Sequence, residues 1–369
     1  MSQTAASLLN PAMRSWKEQG GKIVGYFCSM VPEELIMAAG LLPFRMRAVG
    51  SPGTDAADAY FTNMNCSFPR HCFSLALNGE FDFLDGLLCV NSCDQIRRIY
   101  DNWCHKIGTV FIELIALPRQ SGPDQITWYT EEFHQFKNRL ESHFQVEISN
   151  DAIWDAIRLS NETRQLQRRL YELRKQDRPP ITGAETLVVM IAGTAMPKAS
   201  YNALLRELVD ELRVADGIDS YRARLMVTGG ILDDPEWVAA VEEVGGLVVT
   251  DGTCFGTRLM WVDVDETISD PIEALARYYL ADRPGCPRMI DTQEKRRDYT
   301  IDMAREFKCD GIICEKLVFC DQWQVEQYLL TSDLRERGLP LLNLDREYVT
   351  SGLGQIKTRV QAFIESVGK

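Results

Sequence analysis

Short apolar runs closed by turn residues alternate along this chain with longer segments of helical period. Lys22-Ile23-Val24-Gly25-Tyr26-Phe27-Cys28 reads as a buried strand, and residues 42–47 as a second one. Between them, residues 31–40 read as a helix that opens on Pro32, Glu33 and Glu34 and stops at Gly40. A strand–helix–strand unit favours a parallel sheet. Residues 83–90 and 110–117 add strands, and residues 62–78 hold a helical run. Helices are expected over 1–20, 95–103, 124–144 and 149–176. Arg178-Pro179-Pro180 breaks the pattern, so the boundary between two α/β domains, 1–177 with a helical extension and 178–369, is placed there.

The second half restarts the alternation. Residues 186–192 suit a strand or a buried helix turn, and strands are expected over 224–230, 247–251 and 339–344. Helices are expected over 200–212, 235–243, 271–280, 292–307, 325–337 and 354–367. The most pronounced strand is Asp310-Gly311-Ile312-Ile313-Cys314-Glu315-Lys316-Leu317-Val318-Phe319-Cys320-Asp321. The expected fold is α/β, with two similar halves whose parallel sheets are covered on both faces.

That strand delivers Cys320 to its C-terminal edge, where open α/β sheets bind ligands. Cys93, in Asn91-Ser92-Cys93-Asp94, has the same setting beside a helix N-terminus, which favours a thiolate or a phosphate. Cys66, in Asn65-Cys66-Ser67-Phe68, makes a third such position. The three are either ligands that meet in a cleft or small buried hydrophobes, and they lack the compact spacing of a ferredoxin. Cys254 and Cys286, both in loops, rank second as ligands. Cys28, Cys72, Cys89, Cys104, Cys309 and Cys314 lie in apolar or helical runs and read as core.

Composition narrows the chemistry. A net charge of −13 argues against nucleic acid as a main partner, since phosphate binding needs clustered Lys and Arg. No run is apolar for long enough to span a bilayer, and the first 21 residues lack a secretory pattern, so a cytoplasmic location is expected. Eleven cysteines are then expected as reduced thiols, some of them metal ligands. Four histidines and no HExxH argue against a zinc hydrolase. The chain has no GxSxG, no GxGxxG and no P-loop, the run Gly352-Leu353-Gly354-Gln355-Ile356-Lys357-Thr358 lacking the required spacing. Glu33 and Glu34 serve either as acid/base groups or as complements to the helix dipole. Arg45, Arg47 and Arg70 are candidate phosphate contacts or merely solvated arginines.

Several segments together resemble one family. They are Gly25-Tyr26-Phe27-Cys28 with Pro32-Glu33-Glu34-Leu35-Ile36 and Ala38-Ala39-Gly40, Asn65-Cys66-Ser67-Phe68, and Leu84-Asp85-Gly86 through Asn91-Ser92-Cys93-Asp94 to Arg97-Arg98. Asp310-Gly311 through Lys316-Leu317-Val318-Phe319-Cys320-Asp321, and Gly354-Gln355-Ile356-Lys357-Thr358-Arg359 to Phe363-Ile364-Glu365, complete the set. In order and spacing they resemble the 2-hydroxyacyl-CoA dehydratase D-component family, which includes the cluster-bearing subunits of benzoyl-CoA reductase. The resemblance implies two Rossmann-like domains with a [4Fe–4S] cluster in the cleft, ligated by Cys66, Cys93 and Cys320. It implies a homologous second catalytic subunit, an ATP-hydrolysing iron–sulfur activator with ferredoxin upstream, and a CoA-thioester substrate.

Asn91-Ser92-Cys93-Asp94-Gln95-Ile96-Arg97 stands where the dehydratases tend to carry Thr-Thr-Cys-Asp-Gly-Lys-Lys, and looks closer to the ATP-dependent aryl-CoA reductases. The expected activity is therefore benzoyl-CoA reductase-like, with a 2-hydroxyacyl-CoA dehydratase as the alternative. A double-cubane branch of the family uses further cysteines, and Cys254 and Cys286 fall where two of them would lie. The chain departs from that branch in having no cysteine between Cys72 and Cys89.

Overall fold

Apolar runs long enough to be buried on both faces, each followed by an amphipathic segment, fold as parallel strands with helical crossovers. The computed structural model describes residues 1–349 and 352–368. In the first sheet β1 (Ile23–Tyr26), β2 (Leu42–Arg45), β3 (Gly86–Val90) and β4 (Ile112–Ile115) lie in the order β2-β1-β3-β4, every pair parallel. In the second, β5 (Ala223–Gly229), β6 (Gly246–Gly252), β7 (Gly311–Leu317) and β8 (Leu341–Arg346) take the order β6-β5-β7-β8, again all parallel. The two orders are the same, with β5 standing for β1 and β7 for β3. Each sheet therefore has one switch point, β1/β3 or β5/β7, where ligand sites form outside the strand ends.

The chain opens on α1 (Ser2–Ala5) and α2 (Pro11–Glu18). The single helix expected over residues 1–20 is thus two. Asn10 ends the first segment and caps the second, its side chain accepting from the Met13 N–H at 3.1 Å ahead of Pro11. Helices α3 (Glu33–Ala38), α4 (Ser67–Leu77) and α5 (Asp94–Lys106) make the first sheet's crossovers, and the long α6 (Pro123–Phe144) and α7 (Asn150–Leu173) follow. The residues left open between strand and helix fold as α8 (Gly183–Ala192), because Thr182 and Glu185 close a capping box at its start. After α9 (Lys198–Leu212), helices α10 (Pro235–Glu242), α11 (Pro271–Arg277), α12 (Gln293–Glu306) and α13 (Asp321–Glu336) connect the second sheet, and α14 (Leu353–Val367) ends the chain.

One segment crosses back. Val264, Ile272, Leu275, Tyr278 and Met289 belong to the same buried cluster as Val24, Leu88, Ile115 and Phe133 of the first half. A π-helical turn, Tyr278–Asp282, sits in the middle of this return. Such turns are frequent at functional sites. The return places residues 283–290 against the first sheet, where Ile290 N–H donates to the Arg119 carbonyl at 3.0 Å. Among the described residues, no helix is long and apolar enough to cross a membrane.

Candidate metal centre

Residues that follow strand ends in both sheets line one cavity of about 620 Å³. Cys28 comes from the end of β1, Cys93 from the β3–α5 turn, Cys254 from beyond β6 and Cys320 from the β7–α13 turn. Cys66 stands before α4, and Cys286 lies on the segment that returns to the first sheet. All three first-rank cysteines and both second-rank ones therefore share this wall. Cys28 joins them, correcting its reading as core. Its signal was present in the sequence, since it ends an apolar run before Ser29 as Cys320 does before Asp321.

Local geometry aims these side chains. Cys66, Cys93 and Cys320 are the residues capping α4, α5 and α13. Cys28 has φ +75° and Phe319, beside Cys320, has φ +64°. Non-glycine residues there cost roughly 1–3 kcal/mol each and persist only where the surroundings impose them. The loops are also tied across the cavity. Arg45 Nη1 donates to the Cys254 carbonyl at 2.5 Å, and Arg283 Nη1 to the Ser29 carbonyl at 2.7 Å. Gln322 Nε2 donates to the Ser92 carbonyl at 2.5 Å, and the Tyr348 N–H to Ser67 Oγ at 2.9 Å. Each bond joins one half of the chain to the other beside a cavity cysteine, so the thiols are held by two sheets at once.

Every cysteine is unpaired. Burial pushes the Cys66 thiol well up, and the neighbouring Cys320 and Cys93 push it further. Cys93 is raised to about 12 by burial, opposed by the Ile96 and Gln95 amides and assisted by Cys320 and Cys28. Cys320 rises to about 11 and Cys286 to about 12, again through burial first. None of the three capping thiols makes a full hydrogen bond to its helix. The first-turn amides of Phe68, Ile96 and Trp323 nonetheless partly oppose the upward shifts.

Such a set stays protonated alone. A thiophilic cation would displace the protons and relieve the mutual repulsion, so the donor chemistry fits a soft metal group. Among the described residues, no three His, Cys, Asp or Glu converge tightly enough to hold a single ion. Thiols spread over a wide wall fit a polynuclear group that fills the space between them.

The basic candidates are otherwise engaged. Arg45 lines the cavity but lies 3.8 Å from the centre of the Phe255 ring while bonding the Cys254 carbonyl. Arg47 is fully buried and donates to the Ala5 carbonyl at 3.0 Å, and Arg70 pairs with Asp58 at 2.6 Å. Arg119 and Arg97 stand exposed on the rim instead, beside the exposed apolar side chains of Trp128 and Ile290. Glu33 and Glu34 do more than complement a helix dipole. Glu33 pairs with Lys198 at 2.9 Å, and Glu34 with Arg164 and, at 2.7 Å, the Tyr279 hydroxyl. Burial raises the Glu33 carboxyl, but Lys198 and Arg164 outweigh it and leave it low. Glu33, Lys198, Arg164 and Tyr279 line a separate cavity of about 40 Å³, and no cysteine lines it.

The family model described as 2-hydroxyglutaryl-CoA dehydratase, D-component, matches residues 28–367. A benzoyl-CoA reductase subunit of Thauera aromatica is 25% identical over 96% of this chain and 94% of its own. The (R)-phenyllactyl-CoA dehydratase beta subunit of Clostridium sporogenes is 26% identical over 96% and 94%. The (R)-2-hydroxyglutaryl-CoA dehydratase beta subunit of Acidaminococcus fermentans is 25% identical over 96% and 95%. Reductase and dehydratase subunits thus stand at the same distance from this chain.

Proposed function

The chain belongs to the 2-hydroxyglutaryl-CoA dehydratase D-component family, and on that footing we propose that it is the cluster-bearing subunit of a low-potential reductase acting on a CoA thioester, of the benzoyl-CoA reductase type. The observation that carries this reading is the meeting of Cys66, Cys93 and Cys320 on one cavity wall between the two sheets. These residues would hold a [4Fe–4S] cluster. Bound there, it supplies single electrons at low potential and an iron site open to a further ligand.

The chain's own residues do the rest. Phe68, Ile231, Leu317 and Trp323 give the cavity an apolar wall that excludes water. Arg119 brings positive charge to the rim beside the Arg97–Asp94 pair, and Trp128 and Ile290 bring apolar surface. An acyl group carried on a phosphorylated nucleotide needs both. The chain lacks a P-loop, so ATP is hydrolysed on a separate activator, and a homologous subunit completes the enzyme.

The first test is the iron content of anaerobically purified protein. Cys66→Ser, Cys93→Ser and Cys320→Ser should each lose iron, and a variant that kept all of it would remove that residue from the ligand set. With activator and partner present, aryl-CoA reduction is then measured against 2-hydroxyacyl-CoA dehydration. Dehydration alone would make the protein a lyase subunit.

A second reading is favoured by Cys28, Cys254 and Cys286 on the same wall. Six thiols would hold a larger group of the double-cubane kind, with Cys28 taking the place that no cysteine between Cys72 and Cys89 fills. Cys28→Ser and Cys254→Ser would then lower iron below the wild-type count. Unchanged iron in both would limit the ligands to the first three.

A further inference from the structure

Arg258 is buried behind the cavity wall with an unusual set of partners. Its Nη2 donates to the Gly229 carbonyl at 2.6 Å and to Cys254 Sγ at 3.0 Å. Its guanidinium lies 5.0 Å from the centre of the Trp323 ring, and its Nε has no partner. Among the described residues, no carboxylate pairs with it. Arg164, Arg296 and Arg346 each pair with a buried glutamate, while Arg45, Arg47 and Arg174 are buried against backbone carbonyls; Arg258 differs from all of these in donating to a cysteine sulfur. A buried cation with no carboxylate in direct contact is costly, and Asp251 and Glu315 act on Arg258 only from a distance. The polar group it touches at the cavity is a sulfur, which becomes anionic when it ligates a metal.

The thiols also differ in their charged neighbours. Around Cys66 and Cys320 the charged neighbours are carboxylates, Glu347 for the one and Glu315 and Asp321 for the other. Around Cys286 the foremost charged neighbour is Arg258. The loop that carries Cys254 and Arg258 is built closely enough to fix this arrangement. Asp251 Oδ1 accepts from the Thr253 and Thr257 amides at 3.1 and 3.0 Å. Thr253 immediately precedes Cys254 and Thr257 immediately precedes Arg258, so the sulfur and the donor are positioned together.

We propose that Arg258 is a positioning residue that sets the reduction potential of the thiolate-held group in this cavity, acting through the sulfur of Cys254. The proposal rests on the reading that Cys254 is among the ligands. A charged donor on a ligating sulfur stabilises the more negative, reduced form and raises its potential.

The experiment uses the full chain, reconstituted anaerobically with iron and sulfide, and reads iron per chain and the midpoint potential by EPR-monitored titration. Arg258→Gln should keep its iron and shift the reduction equilibrium at least tenfold toward the oxidised form, about 59 mV lower for one electron. Arg258→Lys, which keeps the charge, should recover most of that shift. An Arg258→Gln protein with full iron and an unmoved potential overturns the proposal. If Arg258→Gln fails to hold iron, Arg258→Lys decides: iron retained supports the role of charge, and iron lost in both makes Arg258 a structural prop and overturns it. A Cys254→Ser protein with wild-type iron and potential instead removes the reading on which the proposal rests, and the proposal falls with it. Wild-type protein without iron would overturn the assignment of the cavity as a whole.

Discussion

The ion pair between Glu315 and Arg346 supports the second half of the site, and removing one partner tests how. Glu315 on β7 has no solvent exposure, and Arg346 ends β8 with 4%. Arg346 Nε donates to Glu315 Oε2 at 2.7 Å, Nη1 donates to the Glu347 and Tyr348 carbonyls at 3.2 and 3.3 Å, and Nη2 donates to the Ile231 carbonyl on the cavity wall. Arg346→Met leaves a buried carboxylate without its cation, a change that costs about 3–5 kcal/mol. Glu315→Leu combined with Arg346→Met removes the stranded charge and should recover half or more of that loss.

Native-state hydrogen exchange of peptides spanning β7 and β8 reads this locally and needs no two-state assumption for a chain with two sheets. About 4 kcal/mol corresponds to exchange faster by roughly three orders of magnitude. Burial raises the Glu315 carboxyl from its ordinary 4.5 even with Arg346 in place. The folded state therefore binds this proton more tightly than the unfolded state, and stability falls as pH rises from 4.5 through the raised folded value. Without Arg346 the Glu315 carboxyl rises further, so the Arg346→Met deficit should be full only above the variant's higher value and shrink as pH falls from there to the wild-type folded value, after correction for intrinsic exchange. Acceleration of less than about tenfold, or a double variant no better than the single one, would refute the reasoning.

Tyr348→Phe removes a hydroxyl that donates to Asp233 at 2.6 Å and accepts from the Ala48 amide at 2.9 Å, all of them buried. It should cost about 2 kcal/mol in a denaturant titration, and a loss under about 0.5 kcal/mol would contradict this accounting. Gly256→Ala would put a Cβ 1.7 Å from Asp251 Oδ1. Since that oxygen holds the Cys254 loop, a melting curve should show about 1–3 kcal/mol of destabilisation, and an unchanged melt would count against the close approach. His71 is lowered from 6.5 to about 4 by burial and then by Arg70, while Ser51 Oγ lies 2.8 Å from its Nδ1. The unfolded state then takes the proton first, so stability should decline as pH falls from 6.5 to about 4, by about 2 kcal/mol after allowing for residual solvent contact. His71→Gln should flatten that decline, and a wild-type profile in the variant would assign it elsewhere.

The sequence by itself determined the alternation of strands and helices, the two parallel sheets, and the delivery of Cys93 and Cys320 to strand ends beside helix starts. Those features rest on signals a few residues long: unbroken apolar runs, proline and acids at helix starts, glycine stops. Where such signals conflicted, as over residues 186–192, a capping pair four residues long decided for helix.

What only the tertiary structure decided is which strand ends face one another. Cys28 and Cys254 lie more than two hundred residues apart and line one cavity. They meet because residues 264–289 bury their apolar side chains in the first sheet's core. The same packing turned Arg47 inward to Ala5, brought Lys198 and Arg164 onto Glu33 and Glu34, and set Arg258 against the Cys254 sulfur. Hydrophobic period records which face of an element is buried. It holds no record of the partner, because burial is non-directional and the partner is chosen by the packing of the whole chain.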